Sequence, residues 1–487
     1  MDLSILNTAA NDFHWLGPEI TLTVGALVVL LIGAFARGGG ATASSILTLI
    51  SSVVALYFTL GHWGLDMGIF SGLYVIDPFG TFFKVVILVI LALVTIISRH
   101  YMEREGQPAG EYYALMALGA LGMMCMVSST HFITIFIGLE VMSLAIYVLC
   151  GLFREQVRSV EASLKYFLLG AFATAFLLYG MALTYGSTGL LDATQLGAYV
   201  QGTGFEATPM FLMGMGFLIV GFGFKIASVP FHMWTPDVYE GAPTSITAFM
   251  ATGVKVAAFA AFLRIFYTAF YSFIPEWSTV LWFLAAITMT VGNILALVQS
   301  NLKRLLAYSS IAHAGYILVA FVTGDKFLSS SILFYLLAYA FMNIGAFTVI
   351  ILLGRKGEEN EDIDSYAGLG ARHPFIALCM SIFLLSLTGI PPLAGFMGKF
   401  YVFSAAIKSH FYWLAIIGVL NSAVAAFYYL RVLMYMYFRD PMKEIGRVEM
   451  VPAYIVVMLI SVAALLYIGI FPREFMMIAE KSVSIFQ

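Results

Sequence analysis

The sequence predicts an all-α polytopic membrane protein. Apolar residues make up 61% of the 487 residues, charged residues only 10%, and the mean hydropathy is +0.95. An ordinary soluble domain carries about 25% charged residues, because its exterior must be covered by polar groups. The N-terminal stretch lacks the positively charged start of a signal peptide, so we expect the first apolar segment to stay in the mature protein.

Charge and cysteine content exclude other classes. A net charge of −3 without a basic stripe argues against nucleic acid as a partner. The three cysteines, which form no CxxC pair, predict neither a disulfide framework nor a zinc or iron–sulfur site. No two histidines are spaced as a ligand pair, so no metal is expected. We therefore expect the chain to function within the membrane.

Fourteen apolar runs are long enough to span a membrane, since a spanning helix needs about 20 mostly apolar residues. Ser129 alone separates the fourth run from the fifth. Cut at charges, prolines and glycine clusters, the runs are 16–36, 42–61, 78–98, 112–128, 130–150, 162–186, 210–230, 244–271, 277–298, 305–323, 327–353, 375–405, 411–438 and 451–471.

The distribution of basic residues supports this count. Lys and Arg collect in cytoplasmic loops. With fourteen spans, the alternate loops that begin after the first span hold thirteen Lys and Arg residues, whereas the opposite side holds four, both termini included. An extra or missing span would mix the two sets. We therefore expect both termini on the outer, periplasmic side.

A few ionisable residues lie inside the predicted spans. Glu140, Lys225, Lys255 and Lys399 lie near span centres, where a charge costs about 2.5–3.5 kcal/mol to insert. Intramembrane charges usually mark ion pathways, although Glu140 could instead form a purely structural contact with a lysine of another helix. The remaining basic residues lie closer to helix ends, where snorkelling is expected; they are Lys84, Arg264 and Arg431, with Lys165 able either to snorkel or to join the buried set. His313, in the tenth span, is either a core histidine or part of the pathway.

Two of these lysines accompany interrupted helices. Lys225 precedes Pro230 in the seventh span, and Pro391 and Pro392 precede Lys399 in the twelfth. Proline removes a backbone donor and breaks the helix. Broken backbone at membrane depth is tolerated where it is buried in protein or lines a wet cavity, and transporters place ion sites there. The two breaks predict discontinuous helices at an ion path.

The same features recur in two blocks. We predict a single membrane domain over 1–487, made of an N-terminal three-helix segment, two five-helix repeats, and the last helix with its tail; the ranges are 1–111, 112–271, 277–438 and 451–487. In each repeat the second helix carries a titratable residue and the fourth is broken. Five is an odd number, so helices 4–8 and 9–13 cross the membrane in opposite senses, as inverted repeats do.

Two long motifs carry a resemblance to a known family. KIASVPFHMWTPDVYEGAPTS at 225–245 is similar to the broken-helix signature of the antiporter-like subunits of respiratory complex I, and NLKRLLAYSSIAHAGYI at 301–317 resembles the tenth-helix signature of the same family. The resemblance covers nearly the whole chain. Lys399 stands where the middle sister typically has glutamate, and the long C-terminal extension of the distal sister is missing. Both features favour the subunit type nearest the redox arm.

The resemblance implies a function in proton translocation for six residues: Glu140, Lys165, Lys225, Lys255, His313 and Lys399. Glu140 and Lys225 would form the coupled pair of the entry half-channel. Lys255 would relay protons laterally with His313 nearby, and Lys399 would lie in the exit half. Lys165 would lie near the Glu140–Lys225 pair or at the link to the adjacent subunit.

The resemblance also implies the surroundings of the chain. It would be a multi-pass subunit of proton-translocating NADH:quinone oxidoreductase in a bacterial inner (plasma) membrane, beside a sister antiporter-like subunit and small membrane subunits. It would hold no cofactor itself, because NAD, FMN, iron–sulfur clusters and quinone belong to partner subunits. The alternatives are a subunit of a multisubunit sodium/proton antiporter or of a membrane-bound hydrogenase. A purely structural membrane spacer would not need buried lysines on two broken helices.

Overall fold

The computed structural model describes residues 12–35, 40–107, 109–355, 360–441 and 448–486, and these fold almost entirely into α-helices. The helices are α1 (Gly17–Phe35), α2 (Gly40–Gly61), α3 (Pro78–Glu105), α4 (Ala109–Val127), α5 (Phe132–Cys150), α6 (Val157–Thr188), α7 (Ala193–Thr203), α8 (Pro209–Lys225), α9 (Thr235–Gly241), α10 (Thr244–Thr268), α11 (Ile274–Leu297), α12 (Leu302–Phe321), α13 (Ser330–Leu353), α14 (Leu369–Arg372), α15 (Pro374–Thr388), α16 (Ala394–Lys408), α17 (Tyr412–Phe438), α18 (Pro452–Ile470) and α19 (Pro472–Val483). A short antiparallel hairpin, β1 (Met67–Ile69) and β2 (Tyr74–Ile76), precedes α3.

Within the described ranges, twelve helices are long and apolar enough to cross a membrane. The predicted seventh and twelfth spans are not among them, because each is split, with α8 and α15 as the shorter apolar halves. The polytopic all-α class and the two discontinuous helices are therefore confirmed, while the count of fourteen stays a prediction. Four basic loop residues counted above lie outside the described residues: Arg37, Lys356, Lys443 and Arg447.

The first break follows directly from the sequence around Pro230. Helix α8 ends at Lys225, and Ala227 adopts a left-handed conformation with φ of 60°. The backbone N–H of Ser228 donates to the Gly223 carbonyl at 2.8 Å, and the indole of Trp234 donates to the Phe224 carbonyl at 3.2 Å. Carbonyls at the end of α8 are thus satisfied without continuing the helix, as a buried helix end requires.

The second break frees a carbonyl that a lysine uses. Helix α15 ends at Thr388, and Gly389 follows with φ of 92°, a left-handed conformation that glycine adopts without penalty. Helix α16 resumes at Ala394. The Thr388 carbonyl accepts a 2.8 Å hydrogen bond from Lys399 Nζ. Lys399 thus follows its break, whereas Lys225 precedes the other.

The two predicted blocks share a structural landmark. Isolated antiparallel bridges join His131 to Asp192 and Asn301 to Asp362. Each bridge connects the residue before the second helix of its block to the segment after the third helix. This equivalence supports division of the chain into the predicted repeats.

The centre of the bundle consists of α10, α12 and α13, which are buried along nearly their whole length. Helices α1 and α6 instead expose much of their apolar surface. This distribution fits a chain whose outer helices face lipid or other membrane subunits.

Two of the three basic residues expected to snorkel, Lys84 and Arg264, are buried inside the protein. Lys84 forms a buried ion pair with Glu19, with 2.9 Å between Lys84 Nζ and Glu19 Oε1. Arg264 is 1% exposed and pairs with Asp77. Arg431 donates to the carbonyls of Leu297 and Gln299 at the end of α11. The expectation of snorkelling was wrong for Lys84 and Arg264, because distance from a helix end does not disclose a partner on another helix.

Candidate functional site

Lys225 lies between α8 and α5. Its Nζ donates to Ser143 Oγ at 2.7 Å and to the Tyr147 hydroxyl at 3.3 Å. Glu140 is three residues before Ser143 on α5 and therefore shares its face of the helix. Among the described residues, Glu140 Oε1 is buried without a hydrogen-bond partner, and no ion pair joins Glu140 to Lys225. The two side chains are therefore not in ion-pair contact, and hydroxyl groups contact the lysine.

Lys165 lies at the surface, away from the buried amines. It is 41% exposed and forms ion pairs of 2.7 Å with Glu161 and with Asp237, which lies on α9 after the first break. Asp237 also contacts Arg304 Nη1 at 2.9 Å. Of the two placements left open for Lys165, the structure has the half-exposed one. Its ion pairs with Asp237 connect α6 to the broken helix and, through Arg304, to α12.

Lys255 and His313 meet on α12. A π-helical turn, Met250–Val254, directly precedes Lys255 in α10, and such turns are frequent at functional sites. Lys255 Nζ donates to the Ser310 carbonyl at 2.6 Å and to the Ser310 hydroxyl. His313 follows Ser310 by one turn of α12. Its Nδ1 lies 2.8 Å from the Tyr335 hydroxyl and its Nε2 lies 3.3 Å from the Tyr429 hydroxyl.

Lys399, on α16, contacts a later part of α12. Besides the Thr388 carbonyl, its Nζ contacts Ser422 Oγ at 2.8 Å, and it lies 4.8 Å from the centre of the Tyr316 ring. Tyr316 follows His313 by three residues on α12. Ser310, His313 and Tyr316 therefore form one face of α12 that runs from Lys255 to Lys399. We call these three residues the α12 face.

Aromatic rings lie between Lys225 and the group formed by Lys255, His313 and Lys399. Tyr166 meets the Tyr147 ring edge-on and stacks on Trp234, with ring centroids 4.3 Å apart and planes 10° from parallel. The Trp234 ring in turn packs against Tyr239. The Tyr239 hydroxyl lies 3.4 Å from Ser310 Oγ, on the Lys255 side. Within the described ranges, no hydrogen bond links the partners of Lys225 to those of Lys255. The structure thus brings Lys255, His313 and Lys399 together and leaves Lys225 with α5.

Lys225, Lys255 and Lys399 share a chemical environment. In the part of the chain that the structure describes, none has a carboxylate within ion-pair distance; their partners are hydroxyls and carbonyls. A buried ammonium without a counter-ion loses hydration energy that neutral acceptors replace only in part. Its charge state therefore responds strongly to any charge that moves nearby. This arrangement is suited to taking up and releasing protons.

Sequence reasoning missed the neutral members of this arrangement. Ser310 and Tyr316 stand three residues on either side of His313, a spacing that is visible in the sequence and could have identified them. Tyr335 and Tyr429 come from α13 and α17, and no sequence signal connects them to His313. No group of three or more His, Cys, Asp or Glu side chains that could hold a metal ion occurs in the described ranges.

Two broken helices, each with a buried lysine, together with the α12 face define an ion-translocating membrane subunit. Residues 129–425 match the family model described as NADH:quinone oxidoreductase/Mrp antiporter, TM. NADH-quinone oxidoreductase subunit N of Trichlorobacter lovleyi is 48% identical over 468 residues, which are 96% of each chain. The chain belongs to the NADH-quinone oxidoreductase subunit N family.

Solved structures agree with this assignment. A chain of respiratory complex I from Thermus thermophilus is 35% identical, with a TM-score of 0.81 over 94% of this chain and 98% of that one. A chain of the Mrp complex from a Dietzia species also has a TM-score of 0.81, over 96% and 97% of the two chains. Its identity is 19%, so this second likeness shows the shared fold alone.

Proposed function

We propose that this chain is a proton-translocating membrane subunit of NADH:quinone oxidoreductase, driven by quinone reduction in partner subunits. The observation that carries the proposal is the α12 face, which lies between two buried lysines that have no counter-ion among the described residues. The relatives named as subunit N support the assembly, and the membrane helices support the location. Moving one charge against 100 mV costs about 2.3 kcal/mol, which the partner reaction must supply.

The proton path begins at α5. Glu140 and Lys225 act as the entry pair, and Glu140 Oε1, which has no hydrogen-bond partner in the part of the chain that the structure describes, accepts the proton. An ionised Glu140 favours the charged form of Lys225. When the partner subunit causes the interaction between Glu140 and Lys225 to weaken, the lysine releases its proton. The Ser143 and Tyr147 hydroxyls hold the amine in place during both steps.

The second half of the path follows α12. Lys255 receives the proton, and Ser310 and His313 pass it towards Lys399, with the Tyr335 and Tyr429 hydroxyls keeping the imidazole oriented. In a neutral histidine the unprotonated ring nitrogen can accept a proton while the other releases one, which leaves the opposite tautomer. Lys399 then releases the proton on the exit side.

The stacked rings of Tyr166 and Trp234 form the barrier between the two halves. Water must enter or the rings must move before Lys225 can exchange a proton with Lys255, because an aromatic stack offers no hydrogen-bond relay. This barrier gives the path direction if it opens in only one charge state. Lys165, which pairs with Asp237 on α9, connects this region to the surface and to a neighbouring subunit.

The surroundings follow from the same proposal. NAD, FMN, iron–sulfur clusters and quinone lie in partner chains. The partners in the membrane include a sister antiporter-like subunit and small membrane subunits. The chain lies in a bacterial inner membrane with both termini on the periplasmic side, as the loop charges predict.

The test measures protons pumped per electron by the complex in vesicles. Lys399→Met should lower this ratio, and Glu140→Ala should do the same, because each removes a proton-carrying group. Lys408→Met is the matched control, since Lys408 is exposed at the end of the same helix, α16. A wild-type ratio in both Lys399→Met and Glu140→Ala would contradict the path.

The family model also covers Mrp antiporters, so a sodium/proton antiporter subunit is the second candidate. The chains that co-purify in mild detergent distinguish the two. NADH-oxidising and iron–sulfur subunits support the first candidate, and small antiporter subunits support the second.

A further inference from the structure

A second group of titratable side chains lies where α1 begins and α2 ends. We call it the N-terminal cluster; its members are Glu19, His62, Tyr74 and Lys84. Glu19 Oε1 lies 2.9 Å from Lys84 Nζ and accepts a 2.5 Å hydrogen bond from the Tyr74 hydroxyl. The four residues are between 2% and 6% exposed. They come from α1, the end of α2, β2 and α3, so only the folded chain brings them together.

A neighbouring ion pair provides a comparison. Asp77, just before α3, has both oxygens occupied: Oδ1 accepts from the Gly80 N–H at 2.6 Å and from Arg264 at 2.9 Å, and Oδ2 accepts from Arg264 at 2.6 Å. Arginine keeps its charge at any relevant pH. The Asp77–Arg264 pair is therefore a fixed structural contact.

The Glu19–Lys84 pair differs from the Asp77–Arg264 pair in two respects: within the described ranges one carboxylate oxygen is unoccupied, and the cation is a lysine. Among the described residues, Glu19 Oε2 is buried and has no hydrogen-bond partner. Lysine, unlike arginine, can lose its proton when it is buried. A buried carboxylate oxygen without a donor is costly, and protonation removes the charge responsible for that cost.

His62 adds a third group that can change its charge. Its Nδ1 is also buried and has no partner in the described ranges. Burial lowers the pKa of His62; Lys84 lowers it further and Glu19 raises it. Burial together with Glu19 raises the pKa of Tyr74, which therefore stays a hydrogen-bond donor. The other groups that face the cluster are Cys125 of α4 and His14 before α1.

The β1–β2 hairpin covers the cluster and is fastened at both ends. The Val75 N–H donates to the Ser128 carbonyl at 2.8 Å, and the Phe70 N–H donates to the Asp12 carboxylate at 2.9 Å. Ser129 Oγ also donates to the Leu73 carbonyl at 2.8 Å. These contacts hold the hairpin, and with it Tyr74, in position.

We propose that the N-terminal cluster is a proton-binding site, separate from the series of Lys225, Lys255 and Lys399, with Glu19 Oε2 as the acceptor. A proton taken from water forms an O–H bond on Oε2, so Glu19 becomes neutral and the net charge of the cluster rises by one. Lys84 then has no charged partner. The inference does not depend on the proposed transport function.

The test is infrared difference spectroscopy on the purified complex. The pH is lowered from about 10 to about 4, the range between the ordinary pKa values of lysine and glutamate. The wild type should show the C=O band of a protonated carboxyl whose carbonyl oxygen, Oε1, accepts from Tyr74 and Lys84, and Glu19→Gln should lose that band completely. In Lys84→Met the band should titrate at higher pH, because a cation that favours the ionised carboxylate is gone.

Controls keep the result interpretable. Glu276→Gln removes an exposed carboxyl on α11 and should take away only a band of a hydrated acid. If Glu19→Gln prevents assembly, Lys84→Met is compared with the double variant Glu19→Gln/Lys84→Met, which carries neither charge. A buried ion pair replaced on both sides is often tolerated. If no titrating band depends on Glu19 in either comparison, the pair is structural only and the proposal is wrong.

Discussion

Replacement of Arg264 by methionine should destabilise the chain strongly. The change removes two hydrogen bonds of 2.6 and 2.9 Å to Asp77 and a third of 2.8 Å to the Val127 carbonyl. Within the described ranges, it leaves the buried Asp77 carboxylate with the Gly80 N–H as its remaining donor. Removal of one partner of a buried ion pair costs about 3–5 kcal/mol, because the other charge stays buried without compensation.

The double variant separates this cost from the loss of packing. In Asp77→Asn/Arg264→Met no charge is left behind, and asparagine can still cap the N-terminus of α3. We therefore expect the double variant to recover most of the stability lost in the single variant. Arg473→Met, at an exposed position on α19, is the control and should change stability by less than about 0.5 kcal/mol.

The assay follows unfolding of this chain inside the complex. Cys150 is fully buried, so its reaction with a thiol reagent reports opening of the fold, and mass spectrometry identifies the labelled chain. Arg264→Met should become labelled at a lower temperature or denaturant concentration than the wild type. The reasoning is refuted if the single variant lies within about 1 kcal/mol of the wild type, or if the double variant is no more stable than the single one.

Two further predictions concern α13 and the helix contacts. Tyr335→Phe removes the hydroxyl at His313 Nδ1; one hydrogen bond is worth about 0.5–1.5 kcal/mol, so proton pumping should slow by about 2- to 10-fold. Tyr113→Phe, on α4, should pump normally, because that hydroxyl is buried and has no hydrogen-bond partner in the described ranges. Equal rates in the two variants would contradict a role for Tyr335. Gly122→Ala should prevent assembly, since its Cβ would lie 2.5 Å from a backbone oxygen of α5. Gly216→Ala is the control, because its Cβ would have free space, and it should assemble normally. The yield of purified complex measures both outcomes.

The fold class and both breaks could be predicted from the sequence because they depend on local chemistry. Long apolar runs must become helices in a membrane, where each backbone group needs an internal partner. Pro230 lacks a donor wherever it lies, and Pro391 with Pro392 has the same effect before Lys399. The central positions of Lys225, Lys255 and Lys399 followed from counting along each span, and the structure buries all three.

The partners of these groups could not be predicted, because they come from distant parts of the chain. Distance from a helix end suggested snorkelling for Lys84, yet its partner, Glu19, lies on another helix. The seventh-span motif did not disclose that Lys225 contacts Ser143 on α5. Lys165 had two open placements, and only the ion pair with Asp237 decided between them.

The sequence by itself determined that the chain is a bundle of membrane helices with two interruptions and a few buried charges. These properties follow from hydropathy and from proline, which act over one or two turns of helix. Only the tertiary structure decided which hydroxyl or carbonyl contacts each lysine, that the α12 face connects Lys255 to Lys399, and that an aromatic stack separates both from Lys225. Those relations depend on how helices pack, and a side-chain contact across two helices leaves no periodic signal in either one.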